Sequence, residues 1–410
     1  MSPSLETLRE EYQALRAQGL ALDLTRGKPS AAQLDLSNAL LDIDLSADHR
    51  DAAGTDLRNY GGTDGLRELR EIFAELLGIP VEQLLAGGNA SLQLMHDTLV
   101  FALLHGVAGG EPWVGRDVAF LCPTPGYDRH FALTEALGIR MIPVPARGDG
   151  SLDLAAIEAH AADPAVRGMW LVPMYANPTG ASVDEATARA LVAMPAAAAD
   201  FRIMWDNAYA LHHLSEEEPA PLDILGMAAA AGNPDRVFVY ASTSKITQAG
   251  AGVAFFASSP ANVAWYKAHS SVQTIGPDKL NHLRHARFFG DAEGVRAHMR
   301  AHRELLAPKF ALVDRILTER LSGHASWTKP RGGYFVTLTA PAGTASRAVA
   351  LAAELGVAVT PAGAAFPYGK DPHDSVIRIA PSMPPEAELA TAIEALCVCV
   401  LLAEAELAAG

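Results

Sequence analysis

Cysteine is scarce in this chain: 410 residues hold three, at Cys122, Cys397 and Cys399. Three thiols build no even disulfide framework, and their spacing lacks the paired C-x-x-C of a metal site. No metal is expected, and a reducing, cytoplasmic compartment fits best. Basic runs are absent as well. Thirty-two Lys and Arg face 47 Asp and Glu, for a formal net charge of -15, and no cluster of cations offers itself to a phosphodiester backbone. Long apolar stretches are missing too, none approaching the roughly 20 residues that a membrane-spanning helix needs. The opening MSPSLETLREEYQALRAQG is charged and helix-periodic, which is not the pattern of a signal peptide. Finally, no strand runs into a G-x-G-x-x-G turn with a downstream acid, and AGAG at 249–252 does not fit one. Nucleic acid, membrane and dinucleotide partners are therefore not expected.

What is present is the composition of a compact globular protein, with 50% apolar and 19% charged residues. The length exceeds one ordinary domain and suits a large lobe with a smaller companion. After the first helix, LDLTRGKPS reads as a loop crossing between lobes. NYGGTDGLRELREIFAELLG then turns helical, with Asp64 expected as its cap, and another helix opens near AGGNASLQLMHDTLVFALLHG. Beyond it, short runs alternate with helical stretches: DVAFLC, RMIPVP, GMWLVPM, RIMWD, RVFVYAS and GVAFFAS. Strands so uniformly apolar are buried on both faces, which predicts an α/β fold: a mostly parallel sheet between helix layers. The Ala-rich stretches at 186–199 and 226–232 read as surface helices. From about Gly294 a long helix leads to a smaller α/β lobe containing GGYFVTL, SRAVALAAELG, SVIRIAP and a closing helix from Pro385. The expected division is 45–295 for the large domain, and 1–44 with 296–410 for the small one.

Sites in such sheets gather at the carboxyl ends of the strands, and the polar residues fall there: Asn177 after GMWLVPM, Asp206 after RIMW, and Ser242 to Lys245 after RVFVYA. Lys245, just past an apolar strand, would be partly desolvated and its amine more easily deprotonated, as Schiff-base chemistry requires. Taken alone it reads first as an ordinary surface lysine after a strand. Asp206 would be buried and in need of a cation, which a protonated pyridine nitrogen would supply. Tyr209 could present its phenol to the same ring and Asn177 its amide, although N-P-T-G by itself is a plain turn. Gly87 to Ser91 open a helix, so their free N–H groups and the helix dipole suit a phosphate, to which Ser242 could add a hydroxyl. Arg378, inside an apolar strand, needs a bidentate partner: a substrate carboxylate or a structural ion pair.

Taken in order, TRGKP, NYGGTDGLRELR, GGNASL, PTPGYD, NPTG, WDNAY, STSK, PRGGYF and VIRIAP resemble the fold-type I pyridoxal-phosphate aminotransferases of class I and II. The resemblance covers nearly the whole chain. It implies that Lys245 holds pyridoxal 5'-phosphate as a Schiff base and afterwards moves the proton between substrate and cofactor. Asp206 would pair with the ring nitrogen, Asn177 and Tyr209 with the ring hydroxyl, and Tyr127 would stack on the ring. Gly88, Asn89, Ala90 and Ser242 would hold the phosphate, with Tyr60 reaching the neighbouring subunit's cofactor in a homodimer with shared sites. Arg378 would clamp the substrate carboxylate, with Gly27 closing from the other side.

Two departures stand out. Many relatives carry an arginine eight residues after the lysine; here Val253 occupies that place, and Lys279 is a candidate substitute reaching across the dimer. Arg26 and Lys28 bring further cations to the carboxylate site, and the TRGKP and GPDKLNHLRH pattern resembles a divergent aspartate aminotransferase-like subgroup. Aspartate or glutamate with 2-oxoglutarate are the expected substrates. A β-eliminating lyase on the same fold is the alternative. A ligand-sensing regulator of the same fold is disfavoured, because the N-terminal segment has room for one helix and no DNA-binding module.

Overall fold

The structure, a computed structural model, describes residues 3–148 and 150–409. In chain order its strands are β1 (Leu22–Asp23), β2 (Leu84–Ala86), β3 (Ala119–Thr124), β4 (Arg140–Pro145), β5 (Val166–Leu171) and β6 (Arg202–Asp206). There follow β7 (Val237–Ser242), β8 (Ala254–Ala257), β9 (Ser326–Trp327), β10 (Val336–Thr339), β11 (Val357–Ala358) and β12 (Val376–Ile379). The main sheet runs β2-β8-β7-β6-β5-β3-β4. Pairs from β4 through β7 are parallel, while β8 lies antiparallel to both β7 and β2.

The near-continuous apolar runs are explained by burial on both faces. Leu121, Met169, Ile203, Trp205 and Val239 feed one core, while their sequence neighbours Phe120, Trp170, Met204, Phe238 and Tyr240 feed another on the opposite face. Period-two alternation thus gives each strand two apolar faces, and each needs a covering helix layer. Helices Arg67–Leu77, Glu185–Ala193 and Ile224–Ala230 cover the first face, through residues such as Leu69, Leu191 and Leu225. Ser91–His105, Asp128–Ala136 and Pro260–Ser270 cover the second, through Leu94, Phe131 and Tyr266. Both Ala-rich stretches therefore pack on the sheet by one face, and the first stops at Ala193, so neither is merely a surface helix. Nor does Asp64 cap its helix. Leu66 holds the N-cap position without a side-chain bond, and the Asp64 carboxylate pairs instead with Lys267.

A third core joins Leu8 and Tyr12 to residues from Phe310 to Ala403. It lies against the three-stranded antiparallel sheet β12-β10-β9 and the short parallel pair β1-β11. The helix Ala292–Leu321 serves both lobes, since Val295 and Met299 enter the first core and Phe310 to Leu321 the third. Cys397 and Cys399 are fully buried in the closing helix, and Cys122 in β3. Among the described residues no helix is long and apolar enough to cross a membrane.

Candidate active site

A cleft of about 490 Å³ opens where the carboxyl ends of the main strands meet the small lobe. Lys245, Tyr209, Asn177 and Tyr127 line it from the sheet side; Thr25 to Lys28, Phe335, Thr360 and Arg378 line it from the other. Asp206, the last residue of β6 and only 2% exposed, is close enough for its charge to act on three of the lining residues, Lys245, Tyr209 and Tyr127. Two residues after Met204, it shares that residue's face of the sheet, where the helix Asp128–Ala136 presents His130. The His130 Nε2 is 2.9 Å from Asp206 Oδ2. Asp206 Oδ1 is buried without a hydrogen-bond partner. A carboxylate oxygen in that position is an acceptor awaiting a donor, and a protonated ring nitrogen is a group of the right polarity.

His130 was not singled out from sequence. Its imidazole lies parallel to the Trp170 indole at 4.2 Å and 11° and meets the Tyr127 ring edge-on at 4.9 Å. Its signal was available in the i, i+3 spacing from Tyr127, which places both on one side of a helix start.

The Lys245 Nζ stands 4.8 Å from the centroid of the Tyr209 ring. Burial pushes its amine below the usual lysine range, against the opposing pull of the Asp206 charge. Burial likewise raises the Tyr209 and Tyr127 phenols, keeping both protonated. Behind Lys245 is a polar network that pattern reading did not reveal. The Lys245 carbonyl accepts from His212 Nε2 and from Tyr334 Oη, both at 3.3 Å. The Ile246 carbonyl accepts from His298 at 2.8 Å and His302 at 2.9 Å. Gln33 then donates to Tyr334 Oη at 2.8 Å and meets His302 Nδ1 at 3.1 Å. The N-terminal segment and the long helix thereby hold the backbone that carries the amine.

The start of helix Ser91–His105 is fastened beside Lys245. Gly87 and Gly88 bond Ala254 of β8 at 2.8 and 2.7 Å, and Ser244 Oγ donates to the Asn89 carbonyl at 3.2 Å. Ala90, the N-cap, has no side-chain cap bond, so the first N–H groups of the helix are left to an anion. Ser242 ends β7 nearby and is buried. Val253 lies wholly inside the apolar core, so that position brings no charge to the helix start.

Arg378 sits in β12 opposite Thr337 of β10, 8% exposed, with its guanidinium 5.0 Å from the Phe335 ring. Its partners are Asp128, Asn177, Thr360 and the Thr25 carbonyl. Gly27 forms the facing wall, where a Cβ would come within 2.6 Å of Phe335 Cζ. Asp128, Arg129, Phe335 and Thr360 are further lining residues that the sequence did not mark; only the tertiary fold brings them here.

Two candidates lie elsewhere. Tyr60 is 84% exposed on a separate loop and is not brought to the cleft within this chain. The Lys279 ammonium is buried and engaged within the chain, donating to the carbonyls of Asn59 and Gly61 at 2.8 and 2.5 Å. It holds the loop bearing Tyr60.

A mostly parallel α/β/α layer structure with a second lobe, a buried lysine and carboxylate at the strand ends, and an arginine opposite them define the class: a fold-type I aminotransferase. The comparisons with known proteins narrow this. The aspartate amino-transferase family matches residues 2–410, and the chain belongs to it. A protein of Mycolicibacterium smegmatis is 59% identical over 98% of this chain and 95% of its own. The aspartate aminotransferase of Corynebacterium glutamicum is 50% identical over 98% of this chain and 94% of its own. The crystal structure of an aspartate transaminase from C. glutamicum superposes with a TM-score of 0.96 at 50% identity, covering 98% of this chain and 96% of that one. The α-aminoadipate aminotransferase of Thermus thermophilus, solved with N-(5'-phosphopyridoxyl)-L-leucine, shares the fold at 22% identity and a TM-score of 0.75. The protein is an aminotransferase, acting on small amino and oxo acids.

Proposed function

We propose that this aminotransferase carries pyridoxal 5'-phosphate on Lys245 and transfers the amino group of aspartate or glutamate to a 2-oxo acid such as 2-oxoglutarate. The observation that carries the reading is the buried, unpartnered Oδ1 of Asp206, whose charge acts on Lys245, Tyr209 and Tyr127, three residues that line the cleft. When bound, the cofactor supplies an electrophilic carbon and a ring that accepts the electron pair left at the substrate α-carbon.

The chain's own residues supply the rest. Asp206, braced by His130, would hold the ring nitrogen in its protonated form. Tyr209 and Asn177 would hydrogen-bond the ring oxygen, and Tyr127 would pack against the ring. The N–H groups of Gly88, Asn89 and Ala90, with the Ser242 hydroxyl, would hold the phosphate. Lys245, its amine favoured in the neutral form by burial, would be the base that moves the proton at the substrate α-carbon. Arg378 pairs with the α-carboxylate and Gly27 closes over it.

The second carboxylate of the substrate is accounted for by charge. Arg26, Lys28 and Arg129 line the same cleft, and the C. glutamicum relative is named an aspartate aminotransferase. The lobes 45–295, and 1–44 with 296–410, would close on the substrate from either side. In a homodimer the exposed Tyr60 would reach the partner's cofactor.

The test is spectroscopic. Purified protein should show a visible absorption band that borohydride abolishes and that Lys245→Ala lacks. Aspartate, added to an untreated sample, should bleach it faster than alanine. Absence of the band after adding cofactor removes the reading; equal turnover of alanine and aspartate removes the dicarboxylate preference. Pyruvate and ammonia released without an oxo-acid acceptor would mark a lyase.

A further inference from the structure

A guanidinium has five N–H donors, and in Arg378 every one already meets a protein acceptor. The Nε lies 3.3 Å from Thr360 Oγ1. The Nη2 reaches the same oxygen at 3.1 Å and the Thr25 carbonyl at 3.4 Å. The Nη1 reaches Asn177 Oδ1 at 3.2 Å and Asp128 Oδ1 at 3.0 Å. A carboxylate that docks on an arginine takes two parallel N–H bonds from one edge, so some present partner has to leave.

The partners differ in how freely they can go. Thr360 is buried and its hydroxyl also donates to the Thr25 carbonyl at 2.9 Å, which fixes both. Asn177 is 3% exposed. Asp128 alone has an open path, because its side chain is 33% exposed and it is the first residue of the helix Asp128–Ala136. Turned outward, its carboxylate remains at a helix N-terminus, where negative charge is favoured. It is also the one partner with the charge of the incoming group. Among the described residues lining this cleft there are, besides the Lys245 amine, four cations, Arg26, Lys28, Arg129 and Arg378, and a single acid, Asp128. That acid rests on the only one of these cleft arginines that is buried in a strand.

We infer that Asp128 is an internal carboxylate occupying the docking edge of Arg378, displaced whenever a substrate carboxylate binds, and that it thereby sets the affinity of the cleft for its amino and oxo acids. This rests on the reading of Arg378 as the substrate-carboxylate site. Asp128 acts through Arg378: it weakens binding of every carboxylate by the strength of one charge-assisted hydrogen bond.

The experiment uses the cofactor-loaded enzyme and three variants, Asp128→Ala, Asp128→Asn and Arg378→Ala. It measures KM and kcat for aspartate with 2-oxoglutarate, and inhibition by succinate, which has two carboxylates and no amine to react. Removing the competitor in Asp128→Ala lowers both the KM for aspartate and the Ki for succinate about tenfold, the size of a charge-assisted bond discounted for partial exposure. KM moves further than kcat. Asp128→Asn, which keeps an acceptor and loses the charge, falls between, and its near-identical shape guards against a folding defect in the alanine variant. If both Asp128 variants bind aspartate and succinate no better than the parent while Arg378→Ala binds them worse, Asp128 orients Arg378 instead of competing with substrate, and the proposal is overturned. If Arg378→Ala leaves KM and Ki unaltered, the carboxylate-site reading fails first and the proposal falls with it.

Discussion

Replacing Asp206 by Asn isolates the contribution of one buried charge. The substitution keeps size and shape and leaves an amide oxygen for His130 Nε2, now 2.9 Å from Asp206 Oδ2. What it removes is the negative charge beside the position of the ring nitrogen. A unit pair about 4 Å apart at an effective dielectric near 20 is worth about 4 kcal/mol. At about 1.4 kcal/mol per tenfold in rate, losing it slows the half-reaction with aspartate by roughly three orders of magnitude. In the cofactor-free protein Asp206 is also the charge that opposes the burial-driven depression of the Lys245 amine, so its removal lowers that amine further. Stopped-flow absorbance on the cofactor-loaded variant reads the rate, with near-ultraviolet circular dichroism confirming a native fold. A slowing of less than about tenfold would refute the assignment of Asp206 to the cofactor ring.

Gly27→Ala places a methyl 2.6 Å from Phe335 Cζ and 3.1 Å from Tyr334 Cβ. Both rings are buried and cannot retreat, so overpacking of about 1–3 kcal/mol is passed to the cleft wall. The expected result is a KM for aspartate raised at least about fivefold, measured by steady-state kinetics; an unchanged KM would show that the TRGKP loop does not shape the substrate site. Acid should also destabilise the fold in a defined window. Burial holds His282 and His302 down to about 4, and each uses Nδ1 as an acceptor, from the Leu66 amide and the Gln33 side chain respectively. Because the unfolded chain protonates these groups near 6.5, stability is full above that pH and is lost as pH falls towards 4, by on the order of 3 kcal/mol each. Urea unfolding of the cofactor-free protein across this range checks it, and a midpoint independent of pH would contradict the argument.

Much of the fold and part of the site could be read before any coordinates. Five of the six apolar runs from DVAFLC to GVAFFAS are strands buried on both faces, which leaves an unbroken pattern; the sixth, RMIPVP, is the edge strand β4, with Arg140, Pro143 and Pro145 exposed. The positions of the candidate residues Asn177, Asp206, Ser242 and Lys245 beyond the strand ends were legible because strand ends are where a parallel sheet exposes polar groups, and local order along the chain preserves that position. The antiparallel setting of β8, the true start of the helix after Asp64 and the buried faces of the Ala-rich helices were not legible, because pairing partner and cap choice depend on neighbours distant in sequence. The same reason explains what was missed in the site. His130 becomes significant only when its helix is laid across β6 to meet Asp206. His212, His298, His302 and Gln33 matter because three separate elements converge on the carbonyls of Lys245 and Ile246. Asp128 meets Arg378 across 250 residues. By itself the sequence determined which residues are candidates to carry the chemistry, since that depends on side-chain type and local pattern. Which partners hold, charge and compete with those residues was decided by tertiary packing alone, because hydrogen bonds and ion pairs act over a few ångströms of space whatever the distance along the chain.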